Sequence, residues 1–141
     1  MQNGIRFENH NNELAITRNG KTIISAETLY SLVFDLLAVN CNLPEEWPRI
    51  RQKFDPVKMT YEITIGADSD RQIMKEIIDD ESYIRELREG EYFLESVIDP
   101  QKFVQIIKNK LTYLGLIETS DFDVSYNKRF GRISVLFKGC E

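Results

Sequence analysis

The stretch VKMTYEITI, residues 57–65, decides the fold class of this chain. Val57, Met59, Tyr61, Ile63 and Ile65 alternate with polar residues, which is the pattern of a β-strand with one buried and one solvated face. Strands of a parallel sheet are covered on both faces and are apolar along most of their length. The stretch therefore predicts an antiparallel sheet.

Further strands are predicted on both sides of this one. IRFE (5–8) alternates weakly, and ELAITRNGKTIIS (13–25) contains two β-rich runs joined by Asn19-Gly20. Asn-Gly favours the type I′ turn, because both central residues of that turn need positive φ. EYFLESVI (91–98) predicts a short strand, and FDVSYNKRFGRISVLF (122–137) predicts a second hairpin. Residues 43–56, with three prolines, are interpreted as an irregular connection.

Helices are predicted where apolar residues recur at helical spacing. AETLYSLVFDLLAV (26–39) is the most apolar segment of this kind, and Asp99-Pro100 begins another helix that ends at Gly115. Ser69 and Gln72 form a capping box before a third. The expected order is β-β-β-α-β-α-(α)-β-α-β-β. We expect one α+β domain over residues 1–141, with an antiparallel sheet of five to seven strands and three or four helices packed on one face.

The segment MKEIIDDESYIRELREG (74–90) interrupts its own helical pattern with Asp79, Asp80 and Glu81. The apolar stripe changes direction by about 100° across them, at 100° of helix per residue. We interpret this as a break between two helices, with Asp80 capping the second. A partner surface is compatible with that break. A metal or acid–base site is disfavoured, because adjacent carboxylates in one turn point apart.

Charge is unevenly distributed along the chain. Residues 68–99 hold eleven acids and four bases, whereas the whole chain has a net charge of −5. Helix caps explain some of these acids, but Asp79, Glu86, Glu89 and Glu91 have no local structural task. We expect them to form an acidic surface for a protein partner with a basic surface, and solubility alone is the competing explanation.

Two other places have the composition of recognition sites. Trp47 lies between two prolines with arginines close behind, and Phe130 follows Arg129 at the tip of the C-terminal hairpin. Trp and Arg are enriched among interface hot spots. The competing interpretations are that Trp47 covers an edge of the core and that Phe130 folds back on the sheet. Lys128, Arg129, Phe130 and Arg132 together are the basis of an alternative, nucleic-acid binding through base stacking.

Motifs for catalysis and cofactor binding are absent from the sequence. There is no GxGxxG or GxxxxGK[ST], His10 is the single histidine, and Cys41 and Cys140 lack metal spacing. We expect no cofactor, no metal and no catalytic residue, although an enzyme that uses dispersed carboxylates or Cys41 remains an alternative. The start resembles no signal peptide, so a cytoplasmic location is expected.

The expected function follows from size, charge and missing motifs. We expect a small acidic non-enzymatic interaction protein, monomeric or a small homo-oligomer, that inhibits another protein. Toxin immunity proteins and phage anti-defence proteins are examples of such inhibitors. A general nucleic-acid binder of this size would instead carry a net positive charge.

Overall fold

The computed structural model describes residues 4–41, 49–66, 94, 98–128 and 131–140. This part of the chain contains seven strands and two helices. Their bounds are β1 Arg6–His10, β2 Glu13–Arg18, β3 Lys21–Ser25, α1 Ala26–Asn40, β4 Arg49–Asp55, β5 Thr60–Gly66, α2 Pro100–Tyr113, β6 Phe122–Asn127 and β7 Arg132–Lys138.

The first three strands form an antiparallel sheet in the order β1-β2-β3. The predicted hairpin of β2 and β3 is confirmed, and its turn has φ of 53° at Asn19 and 78° at Gly20. A second turn of the same kind joins β1 to β2, with φ of 53° at Asn11 and 66° at Asn12. Asparagine tolerates this left-handed region better than other residues with a side chain, so both turns follow from local sequence.

The other four strands form a second antiparallel sheet in the order β4-β5-β7-β6. The predicted C-terminal hairpin is confirmed, because β6 pairs with β7 and places Val124 opposite Val135. Strand β5 pairs with β7, so that Ile63 also faces Val135. The central pairing of this sheet therefore joins segments that are far apart along the chain.

Both described helices begin at side-chain caps. Ser25 Oγ accepts a hydrogen bond from the Thr28 backbone N–H at 3.1 Å, and Asp99 Oδ1 accepts one from the Lys102 N–H at 3.2 Å. Each bond satisfies a donor that the first helical turn leaves without an intrahelical acceptor. Helix α2 ends as predicted before Gly115, whose φ of 95° suits glycine.

One cluster of buried apolar side chains draws on both sheets and both helices. Its fully buried members include Ile16 from the first sheet, Leu29 from α1, Phe103 from α2 and Phe137 from the second sheet. Tyr61 is also buried, and its hydroxyl lies 2.5 Å from Gln52 Oε1. Burial, and secondarily the nearby Tyr30, raises the pKa of Tyr61, so this phenol stays neutral and acts as a hydrogen-bond donor.

Asp121 lies in the loop between α2 and β6 and is 1% exposed. Arg18, the last residue of β2, forms an ion pair with this carboxylate and donates a further hydrogen bond to the Gly115 carbonyl oxygen at 2.8 Å. The Ile117 backbone N–H donates to Asp121 Oδ2 at 2.8 Å. One buried carboxylate thus holds the first sheet and the α2–β6 loop together.

The first and last described segments of the chain also meet. The Cys140 N–H donates to the Ile5 carbonyl oxygen and the Gly139 N–H to that of Met59, each at 2.8 Å. Gly139 lies flat against the Phe7 ring, and a Cβ at this position would come within 2.8 Å of two ring carbons. A side chain at position 139 would therefore displace the Phe7 ring, and the segment after β7 is held against β1 and against Met59 before β5.

The α+β class holds, but the predicted arrangement of one sheet with three or four helices on one face is wrong. The described residues form two sheets, of three and four strands, and two helices. Strand β3 is followed directly by α1, and β4 pairs with β5 rather than with β3. The first sheet therefore has three strands. The alternation of apolar and polar residues along a strand shows which of its faces is buried. It does not show which strand pairs with it, so the division into two sheets could not be predicted from this pattern.

Three local predictions also need correction. Residues 49–55 form strand β4 rather than an irregular connection, because the prolines flank the strand and none interrupts it. Strand β5 begins at Thr60 rather than Val57, since the Asp55 carboxylate accepts the Val57 and Lys58 N–H groups and closes a turn. In the predicted strand 91–98, the described residues are not extended: the Ile98 N–H donates to the Leu94 carbonyl, one helical turn back.

Candidate interaction surface

A shallow groove runs between α1 and α2. The C-terminal end of α1 lies beside the N-terminal end of α2. Two pockets, of about 190 and 440 Å³, lie along this side of α2 and are together called the groove below. The first is lined by Val39, Asn40, Asp99, Lys102 and Phe103, and the second by Leu36, Ile106, Asn109, Lys110 and Tyr113.

The groove exists because each helix carries more apolar residues than its buried stripe uses. The α2 stripe is Phe103, Ile107 and Leu111, whereas Ile106 lies roughly 100° further round the helix, at 100° per residue. On α1, Leu36 likewise flanks the buried stripe and is half-buried. Leu36 and Ile106 therefore line the same pocket from the two helices. The described part of the chain does not fill the space between them.

Tyr113 is the most prominent side chain of the groove, with 84% of its surface exposed. The Lys110 ammonium lies 5.7 Å from the centre of its ring, within the range of a cation–π contact. Val39, in the other part of the groove, is 83% exposed. A large aromatic ring held in place at the rim of an apolar groove has the character of an interface anchor.

The two walls of the groove differ in charge. Helix α2 contains Lys102, Lys108 and Lys110 and no acidic residue. Lys102 and Lys110 line the groove, whereas Lys108 forms an ion pair with Glu118 at 2.9 Å. Among the groove-lining residues the carboxylate is that of Asp99, which caps α2. The α2 wall is therefore positive, in a chain whose net charge is −5.

All of the partner-binding residues predicted from the sequence lie outside the described residues: Trp47, Asp79, Glu86, Glu89, Glu91, Arg129 and Phe130. The predicted helix break at residues 79–80 lies outside them as well. Of the basic residues near the hairpin tip, Lys128 is exposed after β6, and Arg132 begins β7 and is half-buried. These predictions stay as they were.

The outer face of the four-stranded sheet, next to that hairpin, carries charges of both signs. Glu62 accepts a hydrogen bond from Ser134 Oγ at 2.5 Å, and Asp123 pairs with Lys138 at 2.5 Å. A surface for nucleic acid would carry a continuous basic stripe. The strand register places Arg51 and Lys53 of β4 and Arg132 of β7 on the same face, so its described residues are more basic than acidic and the nucleic-acid alternative stays a prediction.

The candidate catalytic residues occupy unrelated places. His10 ends β1 rather than lying in a loop, and its Nε2 is 3.9 Å from Glu8 Oε1. Cys41 is the C-cap of α1. Within the described ranges, no three His, Cys, Asp or Glu residues are grouped as metal ligands, and neither helix is long and apolar enough to cross a membrane.

The groove residues were missed in the sequence interpretation. The buried residues Phe103, Ile107 and Leu111 account for the helix by themselves, and Ile106 and Tyr113 lie outside that stripe. These two residues are seven apart, so they lie on one side of α2 outside that stripe. That spacing is the signal that would have found them.

Comparison with known proteins gives no relative. No protein-family model matches the chain, and neither a curated protein nor a solved structure is significantly similar to it.

Proposed function

We propose that this protein is a non-enzymatic interaction protein and that it binds a protein partner through the groove between α1 and α2. The observation that carries the proposal is Tyr113, an 84% exposed aromatic side chain beside Ile106 at the rim of an apolar groove of about 440 Å³. Exposed aromatic and aliphatic groups that converge on a concave surface are typical of protein interfaces.

Inhibition of the partner is the mode of action that we favour. The chain is small and acidic, and its sequence has no nucleotide-binding loop and no nucleophile motif. An inhibitor of the immunity-protein or anti-defence kind needs only a stable surface and no reactive group. The acidic surface proposed for Asp79, Glu86, Glu89 and Glu91 would be a second contact region for the same partner.

We place the protein in the cytoplasm. The chain has two cysteines, and their spacing is not that of a disulfide framework, which fits a reducing compartment.

The test compares two exposed apolar residues in affinity capture from the native host. Tyr113→Asp places a charge in the groove, and Val57→Asp places one in the β4–β5 turn, where Val57 is 86% exposed. We expect both variants to keep the wild-type unfolding midpoint, because neither side chain is buried. The protein captured by the wild type should be retained by Val57→Asp and lost with Tyr113→Asp.

The opposite result is equally clear. If Tyr113→Asp and the wild type capture the same protein in equal amounts, the groove is not the contact surface. If no protein is captured specifically and a small-molecule turnover is found in the purified chain, the non-enzymatic assignment fails.

A further inference from the structure

We draw no further inference here: the strongest candidate, the basic patch of Arg51, Lys53 and Arg132 on the outer face of the four-stranded sheet, carries none, because nothing in the described part of the chain shows what covers that face.

Discussion

The two sheets of this molecule are assembled in different ways. In the first, two-residue turns at Asn11-Asn12 and Asn19-Gly20 join neighbouring strands, so every pairing is local. In the second, β5 pairs with β7, and the hydrogen bond between Ser134 and Glu62 joins residues 72 positions apart. Closing a long loop costs more conformational entropy than closing a turn, and long-range pairings form more slowly. Local sequence specifies the first sheet and the two hairpins of the second, whereas the pairing of β5 with β7 depends on packing.

The largest effect is expected where the first sheet is joined to the α2–β6 loop. Asp121→Ala removes the buried acceptor of Arg18 and of the Ile117 N–H, and it leaves a guanidinium in a largely buried position. We expect the free energy of unfolding to fall by about 3 kcal/mol. Chemical denaturation with fluorescence detection measures this value.

Asp123→Ala is the control, since the Asp123–Lys138 pair is exposed to solvent. Its effect should stay below about 1 kcal/mol. If Asp121→Ala is as mild as Asp123→Ala, the buried ion pair does not join the first sheet to the α2–β6 loop energetically. If Asp121→Ala instead gives two separate transitions, the sheets unfold independently.

Alanine substitutions at Gly20 and Gly66 distinguish two causes of lost stability, backbone strain in a turn and a steric clash with neighbouring backbone. Gly20→Ala keeps open space around the new Cβ and adds only the strain of a φ of 78°, so we expect a loss of about 1 kcal/mol. At Gly66, with a φ of 153°, the new Cβ would lie 2.3 Å from the Gly131 carbonyl oxygen. Because backbone must move there, Gly66→Ala should cost about 2–3 kcal/mol.

Unfolding midpoints of the two variants in denaturant measure whether the clash at Gly66 adds to the backbone strain. Equal losses in the two variants would mean that conformational strain alone matters and that the end of β5 can move away from Gly131 without consequence.

The smallest effects are expected from two exposed carboxyls with opposite pKa shifts. A hydrogen bond with the Glu27 side chain, and repulsion from it, raise the pKa of Glu13 in the first sheet. Hydrogen bonds from the Lys58 and Val57 N–H groups lower the pKa of Asp55 in the second. The stabilisation from Glu13 is thus present below its unfolded pKa of about 4.3 and is lost as pH rises, while that from Asp55 is present above about 3.9 and is lost as pH falls.

Thermal unfolding of Glu13→Gln and Asp55→Asn between pH 2.5 and 7 measures this difference. Glu13→Gln should melt slightly above the wild type at pH 7 and approach it in acid. Asp55→Asn should melt slightly below the wild type at pH 7 and approach it in acid. Parallel curves for both variants would contradict the assigned pKa shifts.

The features that could be predicted from the sequence are those with a local cause. Asn19-Gly20 requires a turn, Asp99-Pro100 begins a helix, and both predictions are confirmed. Strand β4 was missed, because its alternation of Ile50, Gln52 and Phe54 with charged residues is weak beside the flanking prolines. Its assignment depends on pairing with β5, and pairing is a property of two segments together.

The candidate site was hidden from the sequence for a related reason. Tyr113 and Ile106 lie on α2, and Leu36 lies on α1, about 70 residues earlier by the printed numbering. Nothing in the sequence of either helix alone indicates that Leu36 and Ile106 line the same pocket. The groove arises from the way the helices pack on the core, which no single-segment pattern reports.

The hydrogen bond between the Cys140 N–H and the Ile5 carbonyl oxygen brings residues from near the two ends of the described chain into contact. A short linker between these two residues would leave the strand pairings of the described residues in place, and the chain could then be opened at the exposed Asn19-Gly20 turn. The described strands would pair as before, but their order along the chain would be different. In such a permuted chain the β2–β3 hairpin becomes a long-range pairing while β5–β7 remains one, so the molecule offers a direct test of how far the first sheet depends on its local turn.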